Sequence, residues 1–563
     1  MLGGRLPRLT GFRVDFWFLM KIVILLAMAL FLVYPFSQLI TRSFFSSKAD
    51  GVTLYNYQRF FSRAFYTNSL KNTAFVTFFA TATCTLVGVP LAYLMTRYNI
   101  WGKKVFYVFI IMALMSPPFI GAYSWILLFG NAGFVTKLFQ SIGIQVPSIY
   151  GRAGIILVFT FHLYPYIYLY VSGAMGSIDS SLEEAGENLG ASKLRRVLTV
   201  TLPVVLPSIL AGMVMVFMTA LADFGTPMLI GQGKPDAVTL PVLVYNEYMG
   251  ELGGDKNMAS TLSVVIVACS LAVLFVQKFI VARRNYIMTA MRPPEVIKLR
   301  GFRRLLATLP VAVVALIGLL PQLTVVAMSF IKSDFTGFIG GFTLDNYRSI
   351  LNRLSLNITN TYVFSTVAIA FIVVLGMLIS YILVRRRGKV AGLMDTLVMF
   401  PYVIPGSVLG ICLIVAFNRS GLPPFLRLVG TPAIMIISYV VRKLPYTVRS
   451  GSAFLYQTDP SIEEASINLG VSPMKTFFTV VARLMLPGIL SGAILSWITC
   501  INELSSSIML FSGATSTIAV AIYTDVTRMN DATAAALASI LTLSTILSLA
   551  IFLKTSKGRV SIV

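Results

Sequence analysis

Apolar runs of about twenty residues, separated by short polar or basic stretches, recur twelve times along the chain. A helix crossing a ~30 Å hydrocarbon core needs about 20 such residues. The pattern therefore predicts spans near 18–40, 71–95, 104–129, 153–175, 204–229 and 259–281. A second set follows near 305–330, 360–384, 393–417, 431–451, 484–511 and 533–553. The first run follows a basic start, as a secretory signal would. It is too long for a signal core and lacks a small-x-small cleavage site, so it reads as a retained span.

Composition agrees: 57% of the 563 residues are hydrophobic and 12% charged, with a mean hydropathy of +0.83, far from a soluble domain. The expected fold class is an all-α polytopic membrane protein of about twelve transmembrane helices in two parallel six-helix repeats. The formal charge of +24 would suit nucleic acid, but the basic residues cluster beside spans rather than on one soluble face. Arg5, Arg8 and Arg13 precede the first span; Arg97, Lys103 and Lys104 follow the second; Lys193, Arg195 and Arg196 follow the fourth. Arg283, Arg284, Arg292, Lys298, Arg300, Arg303 and Arg304 lie between the halves, Arg385 to Arg387 with Lys389 follow the eighth span, and Lys557 and Arg559 lie near the end. Every second loop is basic, which places both termini on the cytoplasmic side, while intervening loops carry acids such as Asp236, Glu247, Glu251 and Asp255. Cys84, Cys269, Cys412 and Cys500 fall singly in apolar runs, without metal-ligand spacing.

One polar signature occurs twice. Leu182-Glu183-Glu184-Ala185-Gly186-Glu187-Asn188-Leu189-Gly190 returns as Ile462-Glu463-Glu464-Ala465-Ser466-Ile467-Asn468-Leu469-Gly470, between the fourth and fifth spans of each half. Ser181-x-x-Glu184 and Ser461-x-x-Glu464 read as capping boxes. Gly190 and Gly470 fit left-handed helix ends, and Ser192 and Ser472 can cap a second helix, with Pro473 at a tolerated first-turn position. The repeat also pairs Leu54-Tyr55-Asn56-Tyr57 with Leu344-Asp345-Asn346-Tyr347, Asn72-Thr73 with Asn360-Thr361, and Pro117 with Pro401. From Pro165-Tyr166 and Pro445-Tyr446 to Leu206-Pro207 and Leu486-Pro487 the offset stays at 280. Both copies begin on the same side, so they are parallel repeats whose interface is the natural solute path.

At these residues the chain resembles the membrane subunits of binding-protein-dependent ATP-binding-cassette importers of the type I fold. Their hallmark is Glu-Ala-Ala, three residues, Gly, nine residues, Ile-x-Leu-Pro. The first copy gives Glu184-Ala185-Gly186, Gly190 and Val200-Thr201-Leu202-Pro203; the second gives Glu464-Ala465-Ser466, Gly470 and Val480-Val481-Ala482-Arg483, without the Leu-Pro. The resemblance implies a fused two-half permease: residues 1–285, a basic cytosolic linker at 286–304, and residues 305–563. It implies that Glu183, Glu184, Ala185, Gly190, Glu463, Glu464, Ala465 and Gly470 form coupling loops for two separate ATPase subunits. The chain has no Gly-Lys-Ser or Gly-Lys-Thr to cradle phosphate. A solute-binding protein is the third implied partner, with the lipid bilayer around the chain, no nucleic acid and no cofactor. Ala222 to Pro227, Asn502 to Ser506 and Ser516 to Ala519 most resemble the ferric-iron uptake group in the bacterial inner membrane. Fused permeases for thiamine, phosphonate and polyamine are close relatives.

Asp223 and Glu503 are 280 apart, at equivalent places in the fifth spans. A carboxylate facing lipid costs about 3 kcal/mol by insertion scales, so both should face the interior or an interface. One reading is an acidic pair on a cation's path, carboxylate oxygen being a hard ligand; another is that Asp223, about 24 Å along its helix from Pro207, caps a break before Pro227. His162 and Arg442 form a further equivalent pair, and a lone histidine builds no metal site. Pro117, Pro118, Pro401 and Pro405 are expected to kink the third spans. A secondary transporter shares the two-half architecture, but the spans hold few ionisable residues for a proton relay. An enzyme has no support: one histidine, no nucleophile with a base, no nucleotide loop.

Overall fold

The computed structural model describes residues 16–46, 48, 51–250, 254–282, 296–334, 337–418 and 421–555. Arg5, Arg8, Arg13, Glu251, Arg283, Arg284, Arg292, Lys557 and Arg559, the chain ends and the linker before residue 296 lie outside the described residues.

Helices occupy all twelve expected positions. Among the described residues ten helices are long and apolar enough to cross a bilayer. The ninth is a broken pair, Lys389–Val403 and Gly406–Phe417, bent by 111°. The tenth, Pro432–Gln457, carries Arg442, Lys443 and Arg449, which dilute its hydropathy. A two-stranded hairpin, β1 (Ile331–Asp334) and β2 (Gly337–Phe342), follows the seventh span and has no counterpart in the sequence reading.

The third span of each half breaks before a proline, whose ring forces the preceding residue out of helical geometry. Ser116 (ψ 143°) ends Lys103–Met115 before Pro117, and Ile404 (ψ 126°) ends Lys389–Val403 before Pro405. The pairing of Pro117 with Pro401 is thereby corrected. Pro401 sits inside its helix, and Pro405 is the partner of Pro117, because Pro118–Phe129 and Gly406–Phe417 match at a constant offset of 288. The fifth spans are also corrected. They are continuous from the signature's second helix, as Lys193–Ala222 and Pro473–Ile501, and stop before Asp223 and Asn502 instead of running to 229 and 511.

Glycine lets the second and fourth spans of each half approach closely, the usual device where lipid supplies no hydrophobic drive between helices. A Cβ added to Gly88 would lie 2.6 Å from Ile167, and one added to Gly376, 288 residues on, 2.7 Å from Thr447. The halves also interlock through their first spans. Trp17 is buried against Tyr381 of the second half, ring centroids 4.4 Å apart, and Lys21 Nζ donates to the Arg386 carbonyl at 3.2 Å. Reciprocally, Gly318 of Gly301–Met328 packs on Ala113 and Tyr164 of the first half.

The repeated Asn-Tyr motif is a loop lock. Asn56 Nδ2 donates to the Phe45 carbonyl at 2.7 Å and Tyr57 bonds Ser43 at 2.7 Å. Asn346 Nδ2 donates to the Ile331 carbonyl at 3.0 Å and Tyr347 bonds Ser329 at 2.8 Å.

Candidate functional site

Each signature folds as a short helix, Ser180–Asn188 or Ser461–Asn468, outside the spans. The capping boxes expected at Ser181 and Ser461 are not what starts these helices. Asp179 Oδ1 accepts from the Ser181 amide at 3.0 Å, and Asp459 Oδ1 from the Ser461 amide at 2.9 Å. A short carboxylate two residues upstream reaches the first free N–H with less chain to order than a glutamate folding back from the next turn. The Ser461 bond holds the exposed Asp459 carboxyl below its ordinary value.

Both helices end at the expected glycines, Gly190 at φ +77° and Gly470 at φ +85°. Ser192 and Ser472 cap the next helix by accepting from Arg195 and Lys475 amides, each at 3.4 Å. That helix passes through one π turn, Val197–Thr201 or Phe477–Val481, and continues as the fifth span.

The signature carboxylates divide into two kinds. Glu184, Ala185, Glu464 and Ala465 are exposed, and beside them Leu189 is 88% and Leu469 84% exposed, an apolar tip on each knob. Glu183 and Glu463 turn inward instead. Glu183 pairs with Arg97 and accepts from Thr201 Oγ1 at 2.9 Å. Glu463 pairs with Arg385 at 3.6 Å and accepts from Tyr381. Arg97 and Arg385 stand 288 apart at the ends of the second and eighth spans, so the anchor is duplicated with the repeat. In the sequence their charge reads only as topology; their offset of 288, the same as that of Asn72 and Asn360, was the available signal.

Asp223 and Glu503 lie where the halves meet. A Cβ on Gly225 would lie 3.4 Å from Leu504, and the Phe224 ring is 6.2 Å from that of Tyr523. The two acids do different work. Asp223 Oδ2 accepts from the Thr226 amide at 2.8 Å, capping the short helix Gly225–Ile230, which holds Pro227 in its first turn. Glu503 pairs with Lys443 at 2.7 Å and with Arg442, and accepts from the Ser506 amide at 3.1 Å. His162, equivalent to Arg442, lies in the fourth span, Arg152–Gly176. Among the described residues no group of three or more His, Cys, Asp or Glu could hold a metal ion.

A family model described as "Binding-protein-dependent transport system inner membrane component" matches residues 85–286 and again 372–557, together well over half of the chain. The chain belongs to that family. This membrane component is a transport permease and not an enzyme, and it is embedded in a membrane by multiple spans. It is 27% identical over 515 residues to a putative ferric transport system permease protein of Haemophilus influenzae, covering 87% of this chain and 77% of that protein. A ferric transport system permease protein of Actinobacillus pleuropneumoniae is likewise 27% identical, over 87% of this chain and 71% of its own. Among solved structures, a bacterial ABC transporter involved in alginate import is 17% identical, with a TM-score of 0.40 over 48% of this chain and 96% of its own.

Proposed function

We propose that the chain is the fused two-half permease of an ATP-driven importer, moving ferric iron delivered by a solute-binding protein across the bacterial inner membrane. The two exposed knobs carry this reading: each offers an apolar tip, Leu189 or Leu469, on a capped helix that a glycine turn joins to the helix continuing as a membrane span. Two such knobs suit two ATPase subunits, whose closure on ATP draws the knobs together and reorients the spans. The docking surface is Glu184, Ala185 and Gly190 with Glu464, Ala465 and Gly470, while Glu183 and Glu463 hold it from behind.

The basic loops put the knobs and both termini in the cytoplasm. Residues 1–285 and 305–563 are the permease halves, with 286–304 as linker. That division is supported at Ile297, whose amide bonds the Arg97 carbonyl at 2.8 Å. The Asp223 and Glu503 loops form the constriction on the solute path, since they meet at the boundary between halves. The names of the relatives support iron as the cargo.

The test is radiolabelled ferric-iron uptake by cells carrying the chain with its ATPase and binding protein, against Gly190→Asp plus Gly470→Asp. The reading expects uptake by wild type alone at equal membrane levels. Equal uptake by both would sink the coupling role, and no uptake by either would sink the cargo.

A further inference from the structure

The second and eighth spans, Ala64–Arg97 and Ser355–Arg385, are each fastened at both ends. At the cytoplasmic end Arg97 holds Glu183 and Arg385 holds Glu463. At the outer end the repeated Asn-Thr pair, whose function the sequence did not disclose, grips the segment that follows the central acidic loop. Asn72 Nδ2 donates to the Val238 carbonyl at 3.0 Å, and the Leu240 amide donates to Thr73 Oγ1 at 2.8 Å. In the second half Asn360 Nδ2 donates to the Ser516 carbonyl at 2.9 Å, and the Ile518 amide to Thr361 Oγ1 at 2.8 Å. The gripped residues start the buried helices Leu240–Met249 and Ile518–Thr527. From these, Tyr245 and Tyr523 reach Phe224 beside Asp223, at ring distances of 5.0 and 6.2 Å.

We propose that these two spans are rigid rods, latched to a coupling helix at one end and to an outer gate helix at the other, which carry nucleotide-driven movement across the membrane. Twenty-four residues separate Thr73 from Arg97 and Thr361 from Arg385, so each rod transmits over about 36 Å. Each rod is one continuous helix, even across Pro90 in the second span, and a continuous helix is stiff along its axis, whereas the third spans are broken. Arg97, Arg385, Thr73 and Thr361 are positioning residues in this account. Occurrence of both latches in both halves, at offset 288 for each rod residue, separates the arrangement from incidental packing. The proposal rests on the reading of the knobs as ATPase docking elements.

The experiment uses the chain with its two ATPases and binding protein in proteoliposomes, spin-labelled at the exposed, equivalent positions Met249 and Thr527. In wild type a non-hydrolysable ATP analogue shifts the distance between labels. Arg97→Gln with Arg385→Gln, and separately Thr73→Val with Thr361→Val, abolish the shift while the ATPases still co-purify. Solute moved per ATP falls about tenfold or more in either pair, the scale of ordinary coupling between sites. Because the latches act in series, all four changes together lower it no further, and Thr73→Ser with Thr361→Ser restores it. A shift that survives either pair, or losses that multiply, overturns the rods. Failure of wild type to bind ATPase would instead sink the docking reading, and the label distance reports the rods whatever the cargo.

Discussion

Two acids at equivalent positions should differ sharply in what their neutralisation costs. The Glu503 side chain is 4% exposed and faces two cations, Lys443 at 9% and Arg442 at 18% side-chain exposure. Glu503→Gln keeps the shape and can still accept from the Ser506 amide, but strands two positive charges in a largely buried junction. Removing one partner of a buried pair costs about 3–5 kcal/mol, mostly the penalty on the charge left behind. Asp223→Asn is a different change, because Asp223 serves as a helix cap, and asparagine caps about as well as aspartate. Its cost should be a few tenths of a kcal/mol at most. The assay is equilibrium unfolding in mixed micelles of increasing denaturing detergent, followed by fluorescence of the four tryptophans. A double-mutant cycle with Arg442→Gln separates the pair from general disruption, and Arg442→Gln should return part of what Glu503→Gln loses. Equal losses at Asp223 and Glu503, or a Glu503→Gln protein as stable as wild type, would refute the electrostatic reasoning.

Three further outcomes follow from the duplicated geometry. Gly88→Leu or Gly376→Leu should remove folded protein from the membrane, seen as loss of a monodisperse peak on size-exclusion chromatography, because either side chain would overlap Ile167 or Thr447. Gly190→Ala or Gly470→Ala should loosen a coupling helix by about 1 kcal/mol, since alanine is strained at positive φ, with faster hydrogen exchange confined to that helix. The Asp459 cap should be pH-dependent in one direction only. Its folded value is depressed below the ordinary 3.8, so the cap's contribution is complete above that pH and is lost as pH falls through the folded value. Exchange of the Ser461 amide should therefore show extra acceleration only in acid, and Asp459→Asn should abolish that pH dependence.

Much of the architecture was legible because membrane spans obey one dominant rule, apolar length, and because the repeat supplied an internal check. Span ends were less legible. The fifth spans stop before Asp223 and Asn502, where local hydrogen bonding outweighs the continuing apolar run. The proline alignment failed for a related reason: a proline inside a helix and one at a break look alike until the residue before it is seen extended, as at Ile404. At the candidate site the signature and its glycines were readable from caps and spacing. The inward turn of Glu183 and Glu463 was not, because it depends on arginines more than seventy residues away. Nor was the neutralisation of Glu503 fixed by sequence, although Arg442 and Lys443 were in view; it required the tenth and eleventh spans to be packed side by side.

Two docking knobs per chain should bind two ATPase subunits, and native mass spectrometry of the purified complex counts them directly. Two subunits are predicted for wild type, one for Leu189→Asp or Leu469→Asp, and none for the double variant. Two subunits retained by the double variant, or none bound by wild type, would rule out the knobs as docking sites.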